Sequence, residues 1–291
     1  MRDGNRSLRA GLIGAGIQGS RSPAIQMTEA RALGLDLAYH LFDLDRIPGG
    51  EEMLPSLLAR LRSMGYCGVN ITYPIKQSVI KLLDSCSDDV KSLGACNTVV
   101  FQDNRSIGHN TDWKGFSDSF VRGLPGASLD TVLQLGAGGA GSAVSYALLR
   151  LGAKRILVHD IDRGRADAFV DRFNKLAGAE RLFSGGMLEH RASEARGVVN
   201  CTPMGMTRLP GSPLPAAFLR PELWVADIVY FPLRTELLRL AAAKGCRTLA
   251  GGGMVVFQAA EALRLFSGKM PDTQRMLAQF EHDTQVERMA N

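Results

Sequence analysis

The stretch from Thr131 to Asp162, TVLQLGAGGAGSAVSYALLRLGAKRILVHDID, constrains the fold more than any other part of the chain. An apolar run (Val132, Leu133, Leu135) leads into Gly136-Ala137-Gly138-Gly139-Ala140-Gly141, then into a helical pattern from Ala143 to Leu151 that stops at Gly152. A second apolar run, Ile156 to Val158, ends at His159-Asp160. Strand, glycine turn, helix, and a strand with an acid at its tip form the pattern of a dinucleotide-binding unit. Gly136 makes the turn, Gly138 lets the backbone approach a pyrophosphate, and Gly141 lets the helix pack close to the strand. The phosphates then meet the free N–H groups and positive end of the helix. Asp160 follows Gly141 by 19 residues, near the spacing at which a carboxylate reaches a ribose. A plain glycine-rich turn is the competing reading, and the flanking strands and the acid weigh against it.

The 291 residues suit two domains. With 45 % apolar and 22 % charged residues the chain has the composition of an ordinary soluble protein. The net charge of +5 is scattered apart from Arg2, Arg6 and Arg9, whereas a nucleic-acid face needs a clustered basic patch. Five cysteines (Cys67, Cys86, Cys96, Cys201, Cys246) without a CxxC pair read as reduced thiols. No apolar run approaches the about 20 residues of a membrane span, and the basic N-terminus runs into a glycine-broken segment rather than a signal core. A cytoplasmic protein follows, with no nucleic-acid or membrane partner and no metal site.

Leu8 to Ile13 reads as a strand entering Gly14-Ala15-Gly16-Ile17-Gln18-Gly19, a second GxGxxG with Asp43 as its candidate acid. Here Ser20-Arg21-Ser22-Pro23 follows where a nucleotide-binding helix should already have begun. Pro23 suits a first helical turn with Ser22 as its cap, so these glycines belong to a loop that projects hydroxyls toward a polar ligand. Glu51 to Met64 carries Leu54, Leu57, Leu58 and Leu61 on one helical face. Gly68 to Thr72 is a short strand stopped by Pro74. Its alternation puts Asn70 and Thr72 on one side, beside Lys76, at a strand's C-terminal end where ligands bind open α/β sheets. Taken alone, Lys76 is more simply a solvated lysine. The segments 94–99 and 108–116 are polar clusters bordered by glycine, which also form for local turn reasons.

Farther on, Arg163 to Leu176 is a helix with Ala166, Phe169, Val170, Phe173 and Leu176 inward, and Gly197–Asn200 and Leu223–Val229 are buried strands. Thr235 caps a helix to Ala243, Cys246 to Leu249 is a strand, and Gly251-Gly252-Gly253-Met254 breaks into a helix from Val255 to Phe266. A closing helix starts near Thr273.

GLIGAGIQGSRSP, GVNITYPIK, GACNTVV, GHNTDWKGF, GAGGAGSA, NCTPMGM, DIVYFPLRTELL and GGGMVVFQAA, in this order, resemble the motifs of the shikimate/quinate dehydrogenase family from about Leu12 to about Gly268. The resemblance implies an α/β protein of two domains: residues 1–113 with 255–291 binding substrate, residues 114–254 a Rossmann-type dinucleotide domain, and the site in the cleft. It implies that Ser20 and Ser22 hold a carboxylate, that Asn70, Thr72, Asn97, Asp112 and Gln258 hold ring hydroxyls, and that Lys76 and Asp112 are the catalytic pair. Tyr230 borders the substrate. The cofactor falls to Gly136, Gly138, Gly139, Ala140, Gly141, Asp160, Asp162, Arg165, Thr202, Met204, Gly253 and Met254. Shikimate and 3-dehydroshikimate are the implied substrates, handled by a monomer or homodimer.

Two positions depart from the family pattern. Many members carry Asn-Arg-Thr, a 2′-phosphate holder, where this chain has Asp160-Ile161-Asp162. NAD is therefore the preferred cofactor and NADP an accessible one. The first loop reads Gly-Ile-Gln-Gly-Ser in place of Pro-Ile-x-His-Ser. Ser22, where quinate users tend to carry threonine, favours shikimate over quinate or an aminoshikimate. The alternative of another class is a catalytically silent dinucleotide sensor, which would have no need of Lys76 and Asp112.

Overall fold

The computed structural model describes residues 7–290, with side chains to residue 284, so Arg2 and Arg6 of the basic start lie outside the described residues. The chain divides into two units, residues 1–111 with 256–291 and residues 112–255.

In the first unit, strand β1 (Ser7–Gly14) is followed by helix α1 (Ser22–Ala32), β2 (Asp36–Asp43), helix α2 (Leu54–Ser63) and β3 (Gly68–Ile71). The short β4 (Ser85–Cys86), helix α3 (Asp88–Leu93) and a hairpin, β5 (Thr98–Gln102) and β6 (Arg105–His109), complete a six-stranded sheet of order β2-β1-β3-β5-β6-β4. β1 pairs in parallel with β2 and β3, aligning Gly14 with Asp43 and Ile13 with Ile71. Three chain segments therefore leave the sheet side by side at one edge. The hairpin joins the two segments, 94–99 and 108–116, that the sequence shows only as polar clusters. Its turn residues Asp103 and Asn104 take φ of 50° and 59°, a left-handed pair that matches strand twist and that Asn and Asp tolerate.

The second unit opens with α4 (Asp112–Gly123) and holds β7 (Thr131–Leu135), α5 (Gly139–Arg150), β8 (Arg155–His159), α6 (Arg163–Ala177), β9 (Leu182–Phe183), α7 (Leu188–Glu194), β10 (Gly197–Asn200), β11 (Trp224–Asp227), α8 (Glu236–Ala243) and β12 (Arg247–Leu249). Its sheet has the order β12-β11-β10-β7-β8-β9, parallel throughout, so the winding reverses between β7 and β10. In such sheets ligands bind at that switch point. Leu133, Leu135, Leu157, Val198, Val225 and Leu237 form one buried cluster, each aliphatic side chain contributing about 1.5–3 kcal/mol on full burial. Leu176, expected inward, is 39 % exposed at the last turn of α6.

Helix α9 (Gly252–Ser267) starts three residues before the expected Val255, taking Gly252 and Gly253 into its first turn, and α10 (Thr273–Ala290) closes the chain. In the first unit Ala262, Leu263 and Phe266 pack with Leu8, Ala10 and Tyr39. Glu29 of α1, 1 % exposed, binds Arg275 of α10 through both carboxylate oxygens at 2.7 and 2.8 Å. That half-buried pair ties α10 to α1.

Candidate active site

In the first unit the loop after β1 and the turn after β3 lie against each other. A Cβ on Gly14 would stand 2.3 Å from Thr72 Cγ2 and 2.9 Å from the Tyr73 carbonyl, so only glycine permits the approach. The Ala15 N–H donates to that carbonyl at 2.9 Å. Asp43, at the tip of β2, accepts from Gly16 N at 3.0 Å and Gln18 Nε2 at 2.9 Å. Gln18, with the Asp45 and Gly16 amides, holds the Asp43 carboxyl below the usual carboxylate range. This first acid is thus spent on shaping its own loop.

The loop delivers Ser20 and Ser22, both half-buried. Ser20 Oγ accepts from Ser22 N at 3.3 Å and donates to Ser22 Oγ at 3.2 Å. Ser22 is not the expected cap: Arg21 occupies the cap position without a side-chain bond, and Ser22 begins the helix. The reason is local: Ser20 takes the Ser22 N–H, and Pro23, next in the chain, has no N–H to leave unsatisfied.

Behind the serines, Asn70 Oδ1 accepts from Tyr39 Oη at 2.8 Å and Gln26 Nε2 at 3.0 Å, and Asn70 Nδ2 donates to Thr98 Oγ1 at 2.9 Å and the Asn97 carbonyl at 3.4 Å. Two donors and two acceptors are the whole capacity of an amide side chain. Asn70 is 6 % exposed, and its hydrogen-bonding groups are engaged with protein. Burial pushes the Tyr39 phenol up, against a smaller opposing effect of the Ser22 hydroxyl. Gln26 Oε1 has no partner among the described residues.

Beside this network, Asn97 Oδ1 accepts from Thr111 N at 2.7 Å, while Asn97 Nδ2 donates to Thr111 Oγ1 at 3.0 Å and to Gln258 Oε1 of α9 at 3.4 Å. With its oxygen facing Asn97, Gln258 keeps its amide donors for other acceptors. Lys76 is half-buried in the turn after Thr72, and its carbonyl accepts from Cys96 N at 2.8 Å, tying the turn to the segment that bears Asn97. The first unit thereby gathers Ser20, Ser22, Thr72, Lys76, Asn97 and Gln258 on neighbouring elements. Asp112 is the half-buried first residue of α4 and belongs to the second unit.

In the second unit the turn after β7 is built for a ligand that approaches backbone. Gly136 takes φ of 99°, and a Cβ on Gly141 would meet the Gly136 carbonyl at 2.6 Å. Gly138, Gly139 and Ala140 are exposed at the N-terminus of α5, and a Cβ on Gly138 or Gly139 would meet no protein atom within 4 Å. A pyrophosphate fits that open helix end, which presents N–H groups and the positive end of the dipole. Gln134, wholly buried, supports the turn from beneath by donating to the Gly136 carbonyl at 2.9 Å and accepting from Ser145 Oγ at 2.7 Å.

Asp160 accepts from Ala137 N at 2.8 Å, Asp162 N at 2.9 Å and the Arg165 guanidinium. Burial pushes its carboxyl up, but these bonds together outweigh burial and hold it below the usual range. Asp162 caps α6 by accepting from Arg165 N at 3.0 Å. Thr202 and Met204 lie in the loop after β10, Tyr230 is 45 % exposed after β11, and Gly253 and Met254 are half-buried in the first turn of α9. Met254 borders a small cavity with Phe116, Ser119, Asp227 and Leu249. Sequence reasoning overlooked Gln134, Tyr39 and Gln26, because a polar residue inside an apolar run carries no positional signal without its partners.

A family model described as shikimate dehydrogenase substrate binding domain matches residues 12–99. The shikimate dehydrogenase (NADP(+)) of Streptomyces avermitilis is 51 % identical over 94 % of both chains. The quinate/shikimate dehydrogenase (NAD(+)) of Corynebacterium efficiens is 45 % identical over 94 % of this chain and 98 % of its own. Among solved structures, quinate dehydrogenase from Corynebacterium glutamicum in complex with NAD superposes with a TM-score of 0.91 at 42 % identity, covering 95 % of this chain and 99 % of that one.

Proposed function

The chain belongs to the shikimate dehydrogenase family and is an NAD(P)-dependent oxidoreductase, and we propose that its reaction is the reversible interconversion of shikimate and 3-dehydroshikimate, a step of aromatic amino acid biosynthesis. The observation that carries this reading is the 51 % identity with a shikimate dehydrogenase over 94 % of both chains. The presence of Lys76, Asp112 and the serine loop argues against a silent dinucleotide sensor.

Gly136, Gly138, Gly139, Ala140 and Gly141 hold the pyrophosphate, Asp160 and Arg165 face the adenosine ribose with Asp162 fixing their loop, and Thr202, Met204, Gly253 and Met254 flank the nicotinamide half. When bound, the nicotinamide supplies or accepts the hydride at its C4. Lys76 handles the proton. In oxidation Lys76 must first be the neutral amine; the hydrogen on carbon 3 of the ring would then leave as hydride to the nicotinamide while the hydroxyl proton passes to the lone pair of Lys76 Nζ. In reduction Lys76 returns a proton to the forming alkoxide. Asp112 orients the reacting hydroxyl, and Ser20 and Ser22 grip the ring carboxylate as neutral donors. Thr72, Asn97 and Gln258 bind the remaining hydroxyls, with Tyr230 bordering the ring. Because Asn70 spends its amide on Tyr39, Gln26, Thr98 and Asn97, its part is to hold the strand that presents Thr72.

Quinate is the second reading, favoured by the likeness to quinate-named relatives. One assay separates the readings: reduced-nicotinamide absorbance with shikimate or quinate, each with NAD or NADP. Turnover of shikimate above quinate supports the main reading, the reverse supports the second, and no turnover with any pair overturns both. Among the described residues no helix is long and apolar enough to cross a membrane. A cytoplasmic monomer or homodimer accords with the reading.

A further inference from the structure

Two strands of the second unit end in buried polar residues that the proposed chemistry does not use. Asn200, wholly buried at the end of β10, accepts at Oδ1 from Thr202 N at 2.9 Å and Thr202 Oγ1 at 2.7 Å, and donates from Nδ2 to the Met204 carbonyl at 2.9 Å. The same Nδ2 donates to Asp227 Oδ1 at 2.9 Å, at the end of β11. Asp227, 2 % exposed, also accepts from Val229 N at 3.0 Å and Thr235 Oγ1 at 2.7 Å. Thr235 in turn caps α8 by accepting from Leu238 N at 3.3 Å.

This chain of bonds runs unbroken from the loop bearing Thr202 and Met204, through Asn200 and Asp227, into the loop bearing Tyr230. The register aligns Asn200 with Asp227 on adjacent parallel strands, so the two carbonyl-end loops leave the sheet together. Placing a carboxylate in a dry strand end is expensive unless it is fully bonded, and an apolar pair would serve packing alone. What the polar pair adds is direction: each bond fixes one loop atom relative to the other loop.

We propose that Asn200 and Asp227 are positioning residues that clasp the loop of Thr202 and Met204 to the loop of Tyr230, so that seating the dinucleotide and shaping the substrate side are one conformational event. The proposal rests on the assignment of Thr202 and Met204 to the cofactor and Tyr230 to the substrate. In physical terms, dinucleotide bound against the first loop removes freedom from the second, and substrate then pays less to order it.

The test measures the dinucleotide Kd by titration without substrate, and the shikimate KM at saturating dinucleotide, in wild type, Asp227→Ala, Asp227→Asn, Thr235→Val and Thr235→Ser. Breaking the clasp by Asp227→Ala should raise both constants about tenfold, the cost of roughly one charged hydrogen bond. Asp227→Asn keeps an acceptor for Asn200 and Val229 and a polar contact to Thr235, and should restore most of both. Thr235→Val and Thr235→Ser repeat the comparison at the far end of the clasp if Asp227→Ala does not fold, since serine keeps the bond to Asp227 and the helix cap while valine keeps neither. A variant that moves one constant and not the other overturns the coupling, as does a serine variant no better than valine. Absence of turnover in the wild type with every substrate and cofactor would instead strike the functional reading, leaving the Kd comparison to judge the clasp.

Discussion

Arg165 closes over Asp160: Nη2 stands 2.6 Å from Oδ1 and Nε 3.2 Å from Oδ2, leaving the Asp160 side chain 5 % exposed while the arginine is half in solvent. With the Ala137 and Asp162 amides, four donors occupy the carboxylate. For Asp160 to receive the ribose hydroxyls of NAD, Arg165 has to turn outward, as its exposed side chain allows. For a 2′-phosphate, the same arginine is the cation that offsets Asp160.

The relatives include both NAD(+)- and NADP(+)-named enzymes, so the family alone does not set the choice, and the proposed reading assigns it to this pair. Two anions about 4 Å apart repel by about 4 kcal/mol at an effective dielectric of about 20. With Arg165 and solvent screening most of it, about a third remains, which is about a tenfold NAD preference. Asp160→Asn should collapse the ratio of kcat/KM for NAD over NADP toward unity, and Arg165→Ala should widen it. An NADP preference in the wild type, or an Arg165→Ala ratio below the wild-type ratio, contradicts this assignment.

Lys76→Ala should lower kcat by about 10² to 10⁴, the span for a lost acid–base group, with a much smaller change in shikimate KM. The variant's dinucleotide Kd should equal the wild-type value, because Lys76 sits in the first unit and the glycine turn in the second. A variant that keeps a third or more of wild-type kcat removes Lys76 from proton transfer.

Ser22→Ala tests the split between the two glycine motifs. On the proposed reading it deletes one of the two hydroxyls that would donate to the ring carboxylate, and a hydrogen bond to a charged group contributes about 1.5–3 kcal/mol. Shikimate KM should rise by about ten- to a hundredfold while the dinucleotide KM stays within twofold. A rise in dinucleotide KM with shikimate KM unchanged would show that the motifs have been matched to the wrong ligands.

The dinucleotide unit was legible because its signals are local: glycines at fixed spacing, apolar strands either side, an acid at the second strand's tip. The serine loop was legible by contrast, since Ser20 to Pro23 stand where a helix should have begun. What escaped depends on partners distant in sequence. The hairpin of β5 and β6 was hidden by Asn97, Asn110 and Thr111, whose polarity reads as loop until Asn97 is seen bonded to Thr111 and Gln258. The triple glycine read as the lead-in to a helix beginning at Val255, yet Gly252 and Gly253 lie within α9. Gly251 just before them is needed because a Cβ there would meet the Ile228 carbonyl at 2.4 Å. Asn70 looked like a ligand group from its place on the strand. Only the positions of Tyr39 and Gln26 reveal that its amide is spent on protein.

Asp227 should leave a signature in stability against pH. Burial pushes its carboxyl up from 3.8 to about 6, a rise limited by hydrogen bonds from Thr235, Val229 and Asn200, with the Cys201 thiol as the neighbouring titratable group. A carboxyl raised on folding binds its proton more tightly in the native state. Its contribution is therefore fully present below about pH 4 and is lost as pH rises through about 6, amounting to about 3 kcal/mol for a shift of about two units. Asp43, Asp84, Asp130 and Asp160 are held low and act in the opposite direction, so the wild-type profile alone mixes both effects. Subtracting the melting curve of Asp227→Asn, which keeps the shape and cannot titrate, isolates the one group. Between pH 7.5 and pH 4.5, a window that spans about 2 kcal/mol of that contribution, the Tm of wild type should rise relative to the variant by about 4–8 °C, taking about 2–4 °C per kcal/mol for a unit of this size. A Tm difference that stays constant across that range would mean that the Asp227 carboxyl is as acidic folded as unfolded, and that the strand end around it is wetter than its burial implies.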